Sequence, residues 1–199
     1  MKRLWDYYKN LLWENRGWFR AAGWGLVIAF FLGMGLYYLN QDLLSAIIKV
    51  FEEKFGVEPA LDFNLAWQIF IQNTAATAIA LFLGILFGIA PFLIVGLNGV
   101  ILGYVLAAIA AYEDNLLNVF YYVVTGLLPH GILEIPAFLL ASAFGLKLGI
   151  SWLSKGAAGQ RQAALKKSFL EAAAIFPIVV VLLFLAALLE VFVSGKLLN

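Results

Sequence analysis

The chain has 199 residues, 64% of them hydrophobic and 13% charged, with a formal net charge of +1 and no cysteine. The apolar share exceeds the roughly one half of soluble domains and the mean hydropathy is +0.94, which excludes a water-soluble domain and implies an integral membrane protein. Near-neutral charge argues against a nucleic-acid partner, and the missing cysteines remove disulfides, thiolate metal ligands and cysteine nucleophiles together.

In chain order, residues 1–16 mix Lys2, Arg3 and Lys9 with Trp5, Tyr8 and Leu12, and also carry Asp6 and Glu14. That mixture predicts a short amphipathic helix lying in the membrane interface as an anchor. The apolar run behind it is long and ends in no small-residue cleavage site, so a retained span is expected and not a signal peptide.

Taking roughly 20 apolar residues to cross about 30 Å of hydrocarbon, the sequence predicts five spans, near residues 18–39, 66–90, 97–112, 129–153 and 169–193. Between the first two, the loop 40–65 carries Leu43, Leu44, Ile47, Ile48 and Phe51 along one helical face. This reads as a short surface helix over the bundle or as a docking site for an external partner. Residues 116–128 are ambiguous. Joined to the fourth span they would make a helix of about 57 Å at 1.5 Å per residue, too long for a simple crossing, so a re-entrant or interfacial helix is expected there. The fold class is therefore all-α, a polytopic transmembrane bundle of about five spans in a single integral membrane domain over residues 1–199.

Orientation follows from the basic residues. Lys2, Arg3, Lys9, Arg16, Arg20 and the basic loop 154–168, together with Lys147, fall on one side; only Lys49, Lys54 and Lys196 fall on the other, among Asp42, Glu52, Glu53, Glu58, Asp62, Glu113 and Asp114. This predicts a cytoplasmic N-terminus and an extracytoplasmic C-terminus, and the membrane expected is the plasma membrane.

Small residues recur at four-residue spacing in four spans, as in Gly25, Ala29 and Gly33; Ala80, Gly84 and Gly88; Gly99, Gly103 and Ala107; and Ala141, Gly145 and Gly149. Such stripes let helix backbones approach closely, which matters because lipid supplies no hydrophobic drive between helices. The fifth span lacks a comparable stripe and is expected to be peripheral or self-associating.

Polar chemistry concentrates in LLPHGILEIPAFLLASAFG, residues 127–145. His130 and Glu134 stand four apart and share a face of any helix beginning at Pro129. An ionisable residue inside a membrane is costly and marks a functional-site hypothesis. The bland reading is a pair that ties off a helix broken at Pro129 and Pro136; the sharper ones are a proton or ion pathway and, third, a metal site. The metal reading is weak because catalytic zinc usually takes three protein ligands, and this chain has one histidine. No metal or other cofactor is expected. Asn73 and Asn98 are further polar residues placed within spans, each read as helix–helix glue or a cap, and together as lining for a polar cavity around Glu134. Pro91 is expected to break the chain between the second and third spans. Glu171 reads as charge compensation in the first turn of the fifth span.

The run Leu-Pro-His-Gly-Ile-Leu-Glu-Ile-Pro-Ala at 128–137, followed by small residues and Gly145, resembles the signature of the stage II sporulation protein M family. Phe70, Asn73, Gly88, Pro91, Asn98, Gly99 and Gly103 also match its pattern. The resemblance covers most of the chain from the second span onward. It implies five spans with the N-terminus inside and no catalytic residues to carry over. In endospore formers, the family member works with partner proteins in a peptidoglycan-degrading complex during engulfment, as anchor or scaffold and not as the hydrolase. Two functions are thus expected: a scaffold that organises partner proteins or a homo-oligomer in the bilayer, or a transporter or channel for a small solute, ion or lipid using His130 and Glu134. Intramembrane hydrolysis ranks third.

Overall fold

The computed structural model describes residues 2–46, 49, 60–151 and 158–194, with backbone alone at 2, 127–130 and 158. Helix α1 (Lys2–Glu14) meets α2 (Arg16–Leu39) at the single residue Asn15. Helix α3 (Phe63–Phe82) ends in a 3-10 turn (Leu83–Ile85), and a tight reversal leads into α4 (Ile89–Tyr112). Helix α5 (Leu116–Tyr122), a π-helical turn (Val123–Leu127) and α6 (Leu128–Ser151) follow one another without a gap. Helix α7 (Ala158–Leu189) ends in a second π-helical turn, Glu190–Ser194. Among the described residues five stretches are long and apolar enough to cross a membrane: Arg16–Leu39, Phe63–Ile85, Ile89–Tyr112, Gly131–Ser151 and Gly159–Ser194. The described residues form an all-α membrane protein with the five spans that the sequence predicts.

Consecutive spans reverse direction, so the bundle has an end that carries α1 and an opposite end where α2 and α4 finish and α5 lies. Local chemistry sets the reversals. Asp62 caps α3 by accepting from the Leu65 amide at 2.9 Å, which satisfies one of the orphan donors of a helix start. Between α3 and α4 the chain turns at Phe87 and Gly88, with φ of 57° and 73°. Glycine takes that region freely, whereas a bulky residue such as Phe87 is strained in it. The third span thus begins at Ile89, eight residues before the expected Leu97. Pro91 sits in the first turn of α4, where its missing N–H has no intrahelical partner to lose, so the break lies just upstream of it.

Two backbone-to-backbone seams hold the spans. In the first, α2 packs on α4: a Cβ added to Gly99 would lie 2.7 Å from both the Ala29 Cβ and the Leu26 carbonyl, and one on Gly103 would strike the Phe30 carbonyl. In the second, α6 packs on the end of α3 and the turn after it, with Gly145 against Ala80 and Gly84, and Gly149 against Gly84 and Gly88. Helix α6 touches α2, α3, α4 and α7 and is the central element.

Several expectations need correction. The fifth span is not peripheral: Ala172, Ile175, Val179, Leu183, Ala186, Ala187 and Val191 of α7 and its final turn are all buried to 1% exposure or less. Its branched side chains fill the core with Leu65, Ile69 and Phe70 of α3 and Ala137, Ala141 and Phe144 of α6, so dispersion packing does there what glycine contacts do elsewhere. Pro136 does not break the chain; it lies inside continuous α6, as prolines in membrane helices can when neighbouring helices support the freed backbone. At Pro129 the helix also continues, and the π-helical turn directly before it shifts the hydrogen-bond register where the proline has no N–H to give. Residues 116–151 are accordingly helical throughout, with the short apolar helix expected at 116–128 joined to the fourth span through the π-helical turn. The supposed loop 154–168 is, from Ala158 onward, the first turns of α7; residues 154–157 lie outside the described residues, as do Ile47, Ile48 and Phe51 of the predicted surface helix.

Candidate functional site

The buried carboxylate of the fourth span is the starting point. Glu134 is 4% exposed and lines a cavity of about 60 Å³ with Asn98, Leu26, Val95, Ile101 and Phe138. Leu26 lies in the middle of α2, and Asn98 and Ile101 lie in the middle of α4, so Glu134 stands at mid-depth of the bundle. Asn98 donates through Nδ2 to the carbonyl of Ile94 at 2.9 Å on its own helix, which leaves its oxygen to act as an acceptor. The cavity has room for a few waters and meets a larger apolar recess of about 500 Å³ at Leu26, Leu102 and Ile135. The structure therefore brings Asn98 and Glu134 together. Asn73 is elsewhere: it is half-buried, its carbonyl accepts from the Thr77 hydroxyl, and it does not line this cavity. The side chain of His130 lies outside the described residues. Among the described residues no group of three or more His, Cys, Asp or Glu is placed to hold a metal ion.

A second polar cluster occupies the end that carries α1. Asn15, 2% exposed at the corner between α1 and α2, accepts from the Lys147 ammonium at 2.7 Å and donates to the Leu11 carbonyl at 2.8 Å and to Glu171 at 3.4 Å. Lys147 of α6 also pairs with Glu171 of α7, their side chains 19% and 8% exposed. One asparagine thus joins four helices through an ion pair that lipid would otherwise penalise. Glu171 is more than compensation for a helix start. Sequence reading missed this network because Lys147 was counted with the loops. The available signal was opposite charges just inside the facing ends of two consecutive, hence antiparallel, spans.

At the opposite end, Tyr104 of α4 is 1% exposed. Its hydroxyl donates to the Asn40 carbonyl at 2.8 Å and accepts from the Leu44 amide at 3.0 Å, tying off α2 as the chain leaves the bundle. Beside it α5 has no buried residue. Leu116, Leu117 and Phe120 are 85%, 73% and 67% exposed, and Tyr112 is 88% exposed. The short helix is nonetheless held: Asn115 caps it by accepting from the Leu117 amide at 2.9 Å, and Asn118 donates to Glu113 at 2.9 Å. Nothing in the hydrophobic pattern separated this displayed helix from a buried one.

The family model described as Stage II sporulation protein M matches residues 24–195. No curated protein and no solved structure matches the chain.

Proposed function

The chain belongs to the stage II sporulation protein M family, and from that membership we propose that it is a multi-pass membrane scaffold that holds partner proteins at the bilayer and performs no reaction itself. The observation that carries this reading is α5, a capped helix that displays Leu116, Leu117 and Phe120 outside the bundle. Among the described residues nothing buries this apolar helix face, and such a face is what another membrane helix or an amphipathic segment recognises. The glycine seams beneath it supply a rigid platform. The distribution of Lys and Arg supports an orientation with the α1 end cytoplasmic and α5 extracytoplasmic, which in a plasma membrane would present α5 to partners working outside the cell. The test is affinity purification from native membranes in mild detergent: a stoichiometric partner lost on replacing Leu116, Leu117 and Phe120 by serine supports the scaffold, and an unchanged set of proteins counts against it.

A second reading, movement of a small solute, ion or lipid, is favoured by one observation: Glu134 and Asn98 share a cavity at mid-depth, the depth at which transporters build binding sites. Proteoliposome flux with and without Glu134→Gln decides it. Loss of flux from a folded protein would move the assignment to transport.

A further inference from the structure

A groove of about 530 Å³ separates α1 from the start of α7. Its apolar lining is buried Leu11 with Ala163 and the exposed Leu170, and its polar lining includes the side chains of Tyr7, Asn10, Lys166 and Lys167. All four of these polar groups can donate hydrogen bonds. Two carboxylates also face it, Glu14 and Glu171. Glu171 is already matched by Lys147. Lys167 reaches toward Glu14 at 3.9 Å and Glu171 at 3.7 Å, and Lys166 makes no ion pair among the described residues. With Glu171 balanced by Lys147 and Glu14 by one lysine, the groove retains one positive charge.

Its position in the bilayer follows from α1. That helix is held to the bundle on one face by buried Leu11 and by the Tyr8 hydroxyl, which donates to the Ala174 carbonyl at 3.2 Å. On its other faces Trp5 and Trp13 are 71% and 69% exposed, with Arg16 over the Trp13 ring at 4.4 Å. Exposed tryptophans beside basic residues mark the headgroup level of a membrane. The groove therefore opens where phosphates lie above and acyl chains below.

We propose that this groove binds the headgroup of one anionic phospholipid, its phosphate on Lys166 and Lys167 with Tyr7 and Asn10 as further donors, and an acyl chain along Leu11 and Leu170. A single negative charge neutralises the groove, and the amphipathic shape matches a lipid and not a free ion. Basic pockets at the membrane face of helix bundles take such lipids. The bound lipid adds a bridge between α1 and α7 beside the one that Asn15 makes.

The experiment uses the full chain in a neutral detergent, with native mass spectrometry and thermal denaturation after adding phosphatidylglycerol, phosphatidylcholine or glycerol 3-phosphate. The expected result is one retained phosphatidylglycerol, a higher thermal midpoint than with phosphatidylcholine, and no effect of glycerol 3-phosphate. Lys166→Gln with Lys167→Gln should weaken phosphatidylglycerol binding about fivefold per lysine, the effect of one basic residue at an anionic surface, whereas Arg161→Gln, outside the groove lining, should leave it intact. A diazirine-bearing phosphatidylglycerol, applied to the unmodified chain, should label peptides containing Leu11 and Leu170, which keeps the test valid if the double variant does not fold. Equal binding of both phospholipids, stabilisation by glycerol 3-phosphate alone, or labelling confined to other peptides would overturn the proposal.

Discussion

Gly84 and Gly145 stand backbone to backbone: a Cβ on Gly84 would lie 2.6 Å from the carbonyl carbon of Gly145 and 2.7 Å from its Cα. The contact joins the end of α3 to the central helix α6 with no side chain between them. Replacing Gly145 by valine must separate the two helices, a loss of about 1–3 kcal/mol by the usual cost of overpacking. Gly96, also inside a span but with nothing within 4 Å of an added Cβ, is the control. Thermal denaturation in detergent should show Gly145→Val well below the parent and Gly96→Ala level with it or above.

Tyr104 yields a second expectation. Its hydroxyl is the shared partner of Asn40 and Leu44 where the chain leaves α2. Tyr104→Phe keeps the ring against Tyr37, 5.4 Å away in edge-to-face contact, and removes only the hydroxyl. The expected loss is about 0.5–1.5 kcal/mol, the net worth of an ordinary hydrogen bond, because Asn40 and Leu44 keep partial access to solvent. Amide exchange should also quicken at Leu44 more than at the middle of α2; an equal rate there would show that Tyr104 does not hold this corner.

The Lys147–Glu171 pair behaves differently from a surface ion pair because both side chains are mostly buried. Removing Lys147 leaves the buried Glu171 carboxylate, among the described residues, with only the exposed Lys167 as a cation at 3.7 Å, a loss of up to roughly 3 kcal/mol by analogy with broken buried pairs. Lys147→Met combined with Glu171→Leu should recover most of that loss. A double variant no better than Lys147→Ala would show that packing and not charge is at stake.

For Glu134 the scaffold reading expects a structural role. Glu134→Gln should lower expression and the thermal midpoint, because the carboxylate sits buried beside Asn98, while partner recovery from the fraction that folds stays unchanged. Proteoliposomes carrying the parent chain should show no flux that the variant loses.

Much of this architecture is legible in the sequence because lipid imposes simple demands. Spans follow from apolar length, and the close contacts at Gly99, Gly103, Gly145 and Gly149 follow from the four-residue spacing of small residues. Boundaries are less legible: the reversal depends on two positive-φ residues, Phe87 and Gly88, and an apolar pattern runs through them unchanged. Pro129 and Pro136 mislead because a proline deletes one N–H, and a π-helical turn or a supporting neighbour compensates without ending the helix. The burial of α7 was hidden for a related reason: Ile175, Val179 and Leu183 have the same composition as a lipid-facing stripe, and only tertiary packing distinguishes them. Asn98 and Glu134 could be proposed as neighbours from sequence as polar residues within spans, but their common depth emerges only once the third span is seen to start at Ile89. Asn73, one span away, could not be separated from them, since the helix rotations that keep it out of the cavity are set by packing.

The most direct test of the scaffold is recovery of partners on tagged protein from native membranes, comparing the parent chain with a form in which Leu116, Leu117 and Phe120 are replaced by serine. The expected result is a stoichiometric membrane or extracytoplasmic partner on the parent, lost from the variant, with both forms equally folded by thermal denaturation. A folded parent that comes out of the membrane with no partner, or a partner that the variant retains in full, would contradict it.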